Sequence, residues 1–351
     1  MNLGVFLPNW IGDVAMATPA LRALRAQYPP PHRIVGIMRP YVSDVLAGTA
    51  WLDEQLHYDP RSKDKRLSSR SLIRQLRERK LDSIVLFTNS LRTAALAWAS
   101  GAPQRIGYVC YGRGLLLTHK LYYPRVGRKY LPTPAIDAYL QLAYVAGCGY
   151  TSPRMELATL PEDERAADEV WRRLKLPLGR NVAVLNSGGA FGAAKQWPAK
   201  SFAELAQHIV SRLGMAVLVN CGPAERKIAE EIVERAAHPR VVHLDDAKLP
   251  LGLTKACIRR SGLLVTTDSG PRFFGIAFGV PTVTLFGPTH AAWSRTHAEH
   301  EICLSVPVPC GPCMQRVCPL GHHRCMTDLS VESVQRAAER LLASSGSAQA
   351  A

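Results

Sequence analysis

Two short turns in the second half of the chain hold the residues best suited to grip a phosphate. One is Thr266-Thr267-Asp268-Ser269-Gly270-Pro271, entered from the apolar run Gly262-Leu263-Leu264-Val265 and left through a helical pattern over 272–278. That layout predicts strand, tight turn, helix. Gly270 lets a ligand approach the backbone, Pro271 suits the first helical position, and free amides at a helix start attract anions. The other turn, Ser187-Gly188-Gly189-Ala190-Phe191-Gly192-Ala193-Ala194-Lys195, adds a lysine that can neutralise a phosphate. It is no Walker A motif, because Gly-Lys-Ser/Thr is absent. Together the turns point to a diphosphate held by two loops of one α/β domain. Plainer readings stand beside this one: a capped helix start at 268–271, and a solvated loop lysine at Lys195.

Further candidates come from acids, bases and thiols. The segment Pro8-Asn9-Trp10-Ile11-Gly12-Asp13 ends the first predicted strand, which puts Asp13 at the top of a sheet. A carboxylate there can take a proton from an attacking hydroxyl, or simply cap the following helix. Glu225 follows a predicted strand and opens a helix, a place from which it can accept ribose hydroxyls or favour the helix dipole. Residues 61–80 hold nine Lys/Arg and two acids, with Arg70, Arg74 and Arg77 on one helical face over Leu72, Ile73 and Leu76. Such a face fits a membrane surface or a phosphorylated substrate, or is an ordinary solvated face. Arg113, Lys120, Arg125, Arg128 and Lys129 add charge in a later loop. Cys310, Cys313, Cys318 and Cys325 lie within 16 residues, with His322 and His323 among them. Four soft ligands can hold a structural zinc. The alternative is free or redox-paired thiols, and the spacing does not choose between them.

The elements that must position these residues alternate. Strands are expected over 2–7, 34–38, 84–87 and 105–108, and helices over 14–27, 42–46, 71–80, 92–99 and 135–146. Residues 109–134 fit neither period and read as a long surface loop, and 150–161 as a linker. The pattern restarts with strands over 182–186, 216–220, 241–244, 262–266 and 282–286. Helices are expected over 201–213, 224–236 and 331–342, with a disordered tail from Ser344. Alternation of this kind predicts parallel sheets covered on both faces. Ligands are then expected at the carboxyl ends of strands facing a cleft between two lobes.

Composition sets outer limits. The chain has 351 residues, an apolar fraction of 47% and a net charge of +15, which favours an anionic partner without naming it. No zinc finger, RNA-recognition signature or basic zipper occurs, which argues against nucleic acid. No run of about 18 apolar residues predicts a membrane span. Asp13 interrupts the first apolar stretch, so no signal peptide is expected and the protein reads as cytoplasmic. Of nine cysteines, Cys110, Cys148, Cys221, Cys257 and Cys303 sit among apolar residues and are expected to be buried thiols.

Taken together, Asn9-Trp10-Ile11-Gly12-Asp13, residues 188–198, Asp268-Ser269-Gly270-Pro271-Arg272, Phe278-Gly279-Val280-Pro281 and Leu285-Phe286-Gly287-Pro288-Thr289 resemble glycosyltransferase family 9, the lipopolysaccharide heptosyltransferases, most of all the heptosyltransferase II type. The resemblance covers nearly the whole chain. It implies a GT-B fold: an acceptor-binding Rossmann-like domain over 1–155, a donor-binding one over 156–330, and a terminal helix and tail over 331–351. It implies inverting transfer from ADP-heptose to an anionic lipid A inner core at the inner face of the inner membrane, by a peripheral protein needing no catalytic metal. Asp13 then matches the general base. Lys195 matches the lysine on the donor's phosphates and sugar. Ser187, Gly188 and Gly189, with Asp268, Ser269 and Gly270, match the donor loops, and Glu225 a ribose contact. Arg70, Arg74, Arg77, Arg113 and Lys120 are then candidates for acceptor or membrane contact. Ser187 and Ala193 stand where the family often has proline, and Phe273 where it often has histidine. A family relative using another nucleotide sugar is the alternative.

Overall fold

The computed structural model describes residues 1–127, 129–189, 191–222, 225–245 and 249–349. The chain forms two compact units. One comprises Met1–Ala158 with Ala292–His297, the other Thr159–Ala291 with Ala298–Ala351.

In the first unit the strands are β1 (Asn2–Phe6), β2 (Arg33–Met38), β3 (Glu54–His57), β4 (Ser83–Leu86), β5 (Gln104–Tyr108) and β6 (His119–Leu121). They pair in parallel in the order β3-β2-β1-β4-β5-β6. A small antiparallel ribbon, β7 (Arg125–Val126) with β8 (Lys129–Tyr130), follows. The helices are α1 (Ile11–Met16), α2 (Thr18–Gln27), α3 (Ser69–Glu78), α4 (Leu91–Ala99) and α5 (Ala135–Val145). The sequence suggests one helix over 14–27, but the structure divides it. Pro19 lies in the first turn of α2, where its missing N–H and fixed φ suit a new start, and Thr18 Oγ1 donates to the Ala15 carbonyl at 2.7 Å. Serine caps start α3 and α4: Ser68 Oγ accepts the Ser71 amide and Ser90 Oγ the Thr93 amide.

The second unit repeats the plan. Its elements are α6 (Pro161–Arg173), β9 (Val182–Asn186), α7 (Ala199–Arg212), β10 (Ala216–Asn220), α8 (Arg226–Ala236), β11 (Val241–His243), α9 (Leu251–Arg260), β12 (Leu263–Thr267), α10 (Gly270–Ala277), β13 (Thr282–Phe286), β14 (Glu301–Ser305), α11 (Arg324–Thr327) and α12 (Val331–Gln349). The parallel order is β11-β10-β9-β12-β13-β14. Every residue of β9, β10, β12 and β13 is buried, as expected where helices cover both faces of a parallel sheet. Val334, Ala338 and Leu341 of α12 enter the same core as Phe202 and Ile209 of α7. The final helix runs on past Ser344, where a disordered tail is expected from sequence; residues 350 and 351 of that tail lie outside the described residues.

In each unit the strand order reverses between the first and fourth strands, and there the loops at the carboxyl ends diverge and leave room for a ligand. No helix among the described residues is long and apolar enough to cross a membrane.

Candidate active site

At the reversal point of the second unit, the loop after β9 meets the loop after β12. Lys195 closes a short 3-10 turn, Ala193–Lys195. Its Nζ donates to Asp268 Oδ2 at 2.8 Å and to the Asp268 carbonyl at 2.5 Å. The glycine-rich turn is thereby tied to the start of α10. Asp268 also accepts from Thr289 Oγ1 at 2.7 Å and from Arg272 Nη1 at 3.2 Å. Arg272 is fully buried and passes the charge inward to Glu301, with Nε–Oε1 at 2.6 Å, while Thr284 Oγ1 donates to the same Glu301 oxygen at 2.6 Å. Burial alone would raise the Asp268 pKa. The charges of Lys195 and Arg272, with hydrogen bonds from Lys195 and Thr289, hold it below the ordinary value of 3.8. Signs alternate along Lys195, Asp268, Arg272 and Glu301, so the row is internally compensated.

A second polar row lies beneath the turns. Asn186 Nδ2 reaches the Gly188 carbonyl (2.9 Å) and Ser269 Oγ (3.0 Å), and Asn186 Oδ1 accepts Asn220 Nδ2 at 2.8 Å. Ser187 Oγ and Asn220 Oδ1 are enclosed with no hydrogen-bond partner among the described residues. Each such group costs about 1–3 kcal/mol, so this end of the sheet is not arranged for stability alone. The glycines are needed for closeness. A Cβ on Gly188 would lie 2.5 Å from Glu225 Cδ, and one on Gly189 would lie 2.9 Å from Ser269 Cβ. Glu225 itself accepts the Gly222 amide at 2.7 Å. At the start of α10, Ser269 occupies the N-cap position and makes no side-chain cap bond, with Gly270 and Pro271 opening the helix. Ser187, Gly188, Gly189, Lys195, Glu225, Asp268, Ser269 and Gly270 therefore gather at one end of one sheet. Ala190, Pro223 and Ala224 lie outside the described residues.

At the reversal point of the first unit is a cavity of about 510 Å³, walled by the loops after β1 and β4. Asp13 lines it from the first turn of α1, the third residue of that helix, with Trp10 at the N-cap position. The neighbouring phenol of Tyr139 has its pKa raised well above 10.0, by burial first and then by the Asp13 charge. Sequence reasoning missed the aromatic wall. Tyr123 stacks on Tyr108 with ring centroids 4.0 Å apart, its hydroxyl accepts Asn89 Nδ2 at 2.9 Å, and Tyr130 meets it edge-on. Trp293 arrives from the returning segment Ala292–His297, anchored by His297 Nε2 to Asp137 Oδ1 at 2.9 Å. The tyrosines inside 109–134 were the available signal; nothing local announces that 292–297 rejoins the first unit.

The basic candidates separate. Arg70, Arg74 and Arg77 are exposed on α3 and Lys120 is exposed on β6. Arg113 is not a surface group. It is fully buried, and its guanidinium donates to the carbonyls of Tyr108 (2.7 Å) and Thr88 (2.5 Å) and to Asn89 Oδ1 (3.0 Å). Those donors are spent inside the fold, so Arg113 shapes the cavity wall and cannot meet a membrane. Arg128 lies outside the described residues. Phe273 is buried under the Arg272 guanidinium. Cys303 is exposed on the outer strand β14, against expectation, while Cys110, Cys148, Cys221 and Cys257 are buried.

Cys310, Cys313, Cys318, Cys325 and His322 line a small cavity of about 60 Å³. The Cys318 thiol pKa is held below its ordinary 9.0 by nearby backbone amides, that of His323 first. All four thiols are free. As the side chains stand, no three ligands among the described residues are gathered closely enough to hold a metal ion.

Twin parallel units, with paired glycine turns and a lysine at one reversal point and a carboxylate-lined cavity at the other, define a glycosyltransferase of the GT-B class. The sequence pattern of glycosyltransferase family 9 (heptosyltransferase) matches residues 69–324, and the chain belongs to this family. It is 26% identical to lipooligosaccharide heptosyltransferase 2 of Campylobacter jejuni, over 98% of this chain and 99% of that one. It is 27% identical to lipopolysaccharide heptosyltransferase 2 of Escherichia coli, over 82% and 83%. The solved family 9 glycosyltransferase of Veillonella parvula superposes with a TM-score of 0.80 at 28% identity, covering 98% of this chain and 97% of that one. For the fold alone, the E. coli ADP-heptose lipopolysaccharide heptosyltransferase II gives 0.77 at 21% identity, over 99% and 100%.

Proposed function

We propose that the enzyme transfers heptose, with inversion, from ADP-heptose to the anionic inner core of a lipopolysaccharide precursor. The relatives named as heptosyltransferase 2 support that donor and acceptor class. The observation that carries the donor reading is the Lys195–Asp268 bridge, which joins a glycine turn to an uncapped helix start.

In this reading the ADP diphosphate lies over the reversal point of the second unit. Lys195 keeps one of its three N–H donors for a phosphate oxygen, since two go to Asp268. Amides at Gly188, Gly189 and Gly270 supply the rest. Asp268 acts as the anchor of Lys195; its own charge opposes phosphate contact. Glu225 accepts from ribose. The acceptor sugar stacks in the aromatic cavity of the first unit, where Asp13 takes the proton of the attacking hydroxyl. A new C–O bond forms at the anomeric carbon as the bond to the diphosphate breaks, and the electron pair leaves on the phosphate oxygen. One preorganised donor at that oxygen contributes about 3 kcal/mol, so Lys195 and the helix start do the work given to a divalent ion in other transferases. Arg70, Arg74, Arg77 and Lys120 face anionic lipid, with the protein peripheral on the cytoplasmic face of the inner membrane, and nucleic acid is not a partner.

Turnover of ADP-heptose against ADP-glucose and UDP sugars, with an inner-core acceptor, tests the assignment. ADP-heptose should be favoured at least tenfold in kcat/KM. Equal or better turnover of another nucleotide sugar would replace heptose as the transferred group.

A further inference from the structure

The glycosyl transfer just described leaves the four cysteines at 310–325 without a role. Their segment is poorly supported by packing. Between β14 and α11 it has no regular element, and Met314, Val317 and Leu320 are exposed. A loop that buries so little cannot hold one shape by apolar contact, and a metal cross-link is the usual remedy.

That loop nevertheless props up the phosphate turn. The Arg316 carbonyl accepts the Ala194 amide at 3.1 Å, next to Lys195. Gly192 has φ +141°, and a Cβ there would lie 2.5 Å from the same carbonyl. The Met314 amide donates to the Pro288 carbonyl at 2.8 Å, next to Thr289. Ala194 and Pro288 also wall the cavity that the cysteines line. Lys195 and Thr289, which both donate to the Asp268 carboxylate, thus sit on segments clamped by the cysteine loop.

We propose that Cys310, Cys313, Cys318 and Cys325 bind one divalent metal, zinc or ferrous iron, as a tetrathiolate, and that this metal braces the turn carrying Lys195. Binding of the ion releases the thiol protons. The second half of the proposal rests on the diphosphate reading of Lys195.

The test uses the full chain, purified anaerobically without chelator. Elemental analysis should find one zinc or iron per chain, and which of the two it finds names the ion. Cobalt exchanged into the site should give the intense visible bands of a tetrahedral thiolate complex. The double variant C313S/C318S should lose the metal. Less than about 0.1 metal per chain in metal-replete wild type, or intramolecular disulfides found by mass mapping, would overturn the site. Calorimetry with ADP then tests the brace: removing the metal should weaken ADP at least tenfold with the far-ultraviolet dichroism kept. Gly192→Ala, which keeps every cysteine, should retain the metal and still weaken ADP. Unchanged ADP affinity in both would overturn the brace and leave the metal site standing. Failure of the metal-loaded wild type to bind ADP would instead sink the diphosphate reading.

Discussion

Asp13 carries the chemical claim at the scale of single residues. It lines the aromatic cavity of the first unit beside Tyr139, whose phenol pKa is raised by burial first and then by the Asp13 charge. Asp13→Asn keeps shape and removes basicity. Turnover should fall by about 10²–10⁴, the usual worth of general-base catalysis, while ADP affinity measured by calorimetry stays within about twofold. Near-normal turnover would remove Asp13 as the base. At this scale the sequence was informative where chemistry is local: Lys195, Asp268 and the glycines are recognisable because turn geometry demands particular residue types. Arg113 misled because a charged residue in a basic loop looks like surface. Only the fold shows that its donors end on Tyr108, Thr88 and Asn89. The partner of Arg272 was invisible for a related reason, since Glu301 is 29 positions away.

Strands were legible in proportion to their burial. The strands of 182–186, 216–220 and 282–286 coincide with β9, β10 and β13 because continuous apolar runs leave little choice. The half-exposed edge strands β3, β6 and β14 carry no such run and were not foreseen. Nor were α6 and α9, which are held together by charge as well as packing. Arg260 donates to Glu164 Oε2 at 2.7 Å and to Asp168 Oδ1 at 2.6 Å, and Arg259 also reaches Glu164. Burial raises the Glu164 pKa, but hydrogen bonds from Arg259, Thr159 and Arg260 outweigh it and bring the value to about 2, against 4.5 ordinarily. A carboxylate lowered on folding stabilises above its unfolded pKa and loses that contribution as pH falls through the folded one. Stability from urea unfolding should therefore decline between pH 4.5 and about 2. Glu164→Gln should be less stable at pH 6 and show a shallower decline across that window. An unaltered slope would show that the pair contributes nothing.

For the molecule as a whole, charge is the property that sequence alone states most firmly and locates least well. The excess of +15 becomes useful only where it is exposed, and α3 exposes Arg70, Arg74 and Arg77 together. Each basic group near an anionic bilayer is worth about 1 kcal/mol. Binding to vesicles containing anionic phospholipid should be lost on raising salt from about 0.1 to 0.5 M, with the Debye length falling accordingly. The triple change R70Q/R74Q/R77Q should weaken it at least tenfold at low salt without altering ADP affinity. Equal binding by the triple variant would move the membrane contact away from α3. The repeat of one α/β plan in both units was likewise readable as alternation, whereas the shared strand order emerges only from the pairing of the strands. The return of 292–297 to the first unit was not, since long-range exchange of a six-residue segment leaves no period.

The measurement closest to the central claim is calorimetric titration of ADP into the wild-type chain and into Lys195→Ala, without added divalent ion. The wild type should bind, and the variant should bind at least tenfold more weakly, a loss of about 1.4 kcal/mol. Equal affinity in the two proteins would contradict a diphosphate held by the Lys195 turn and the start of α10.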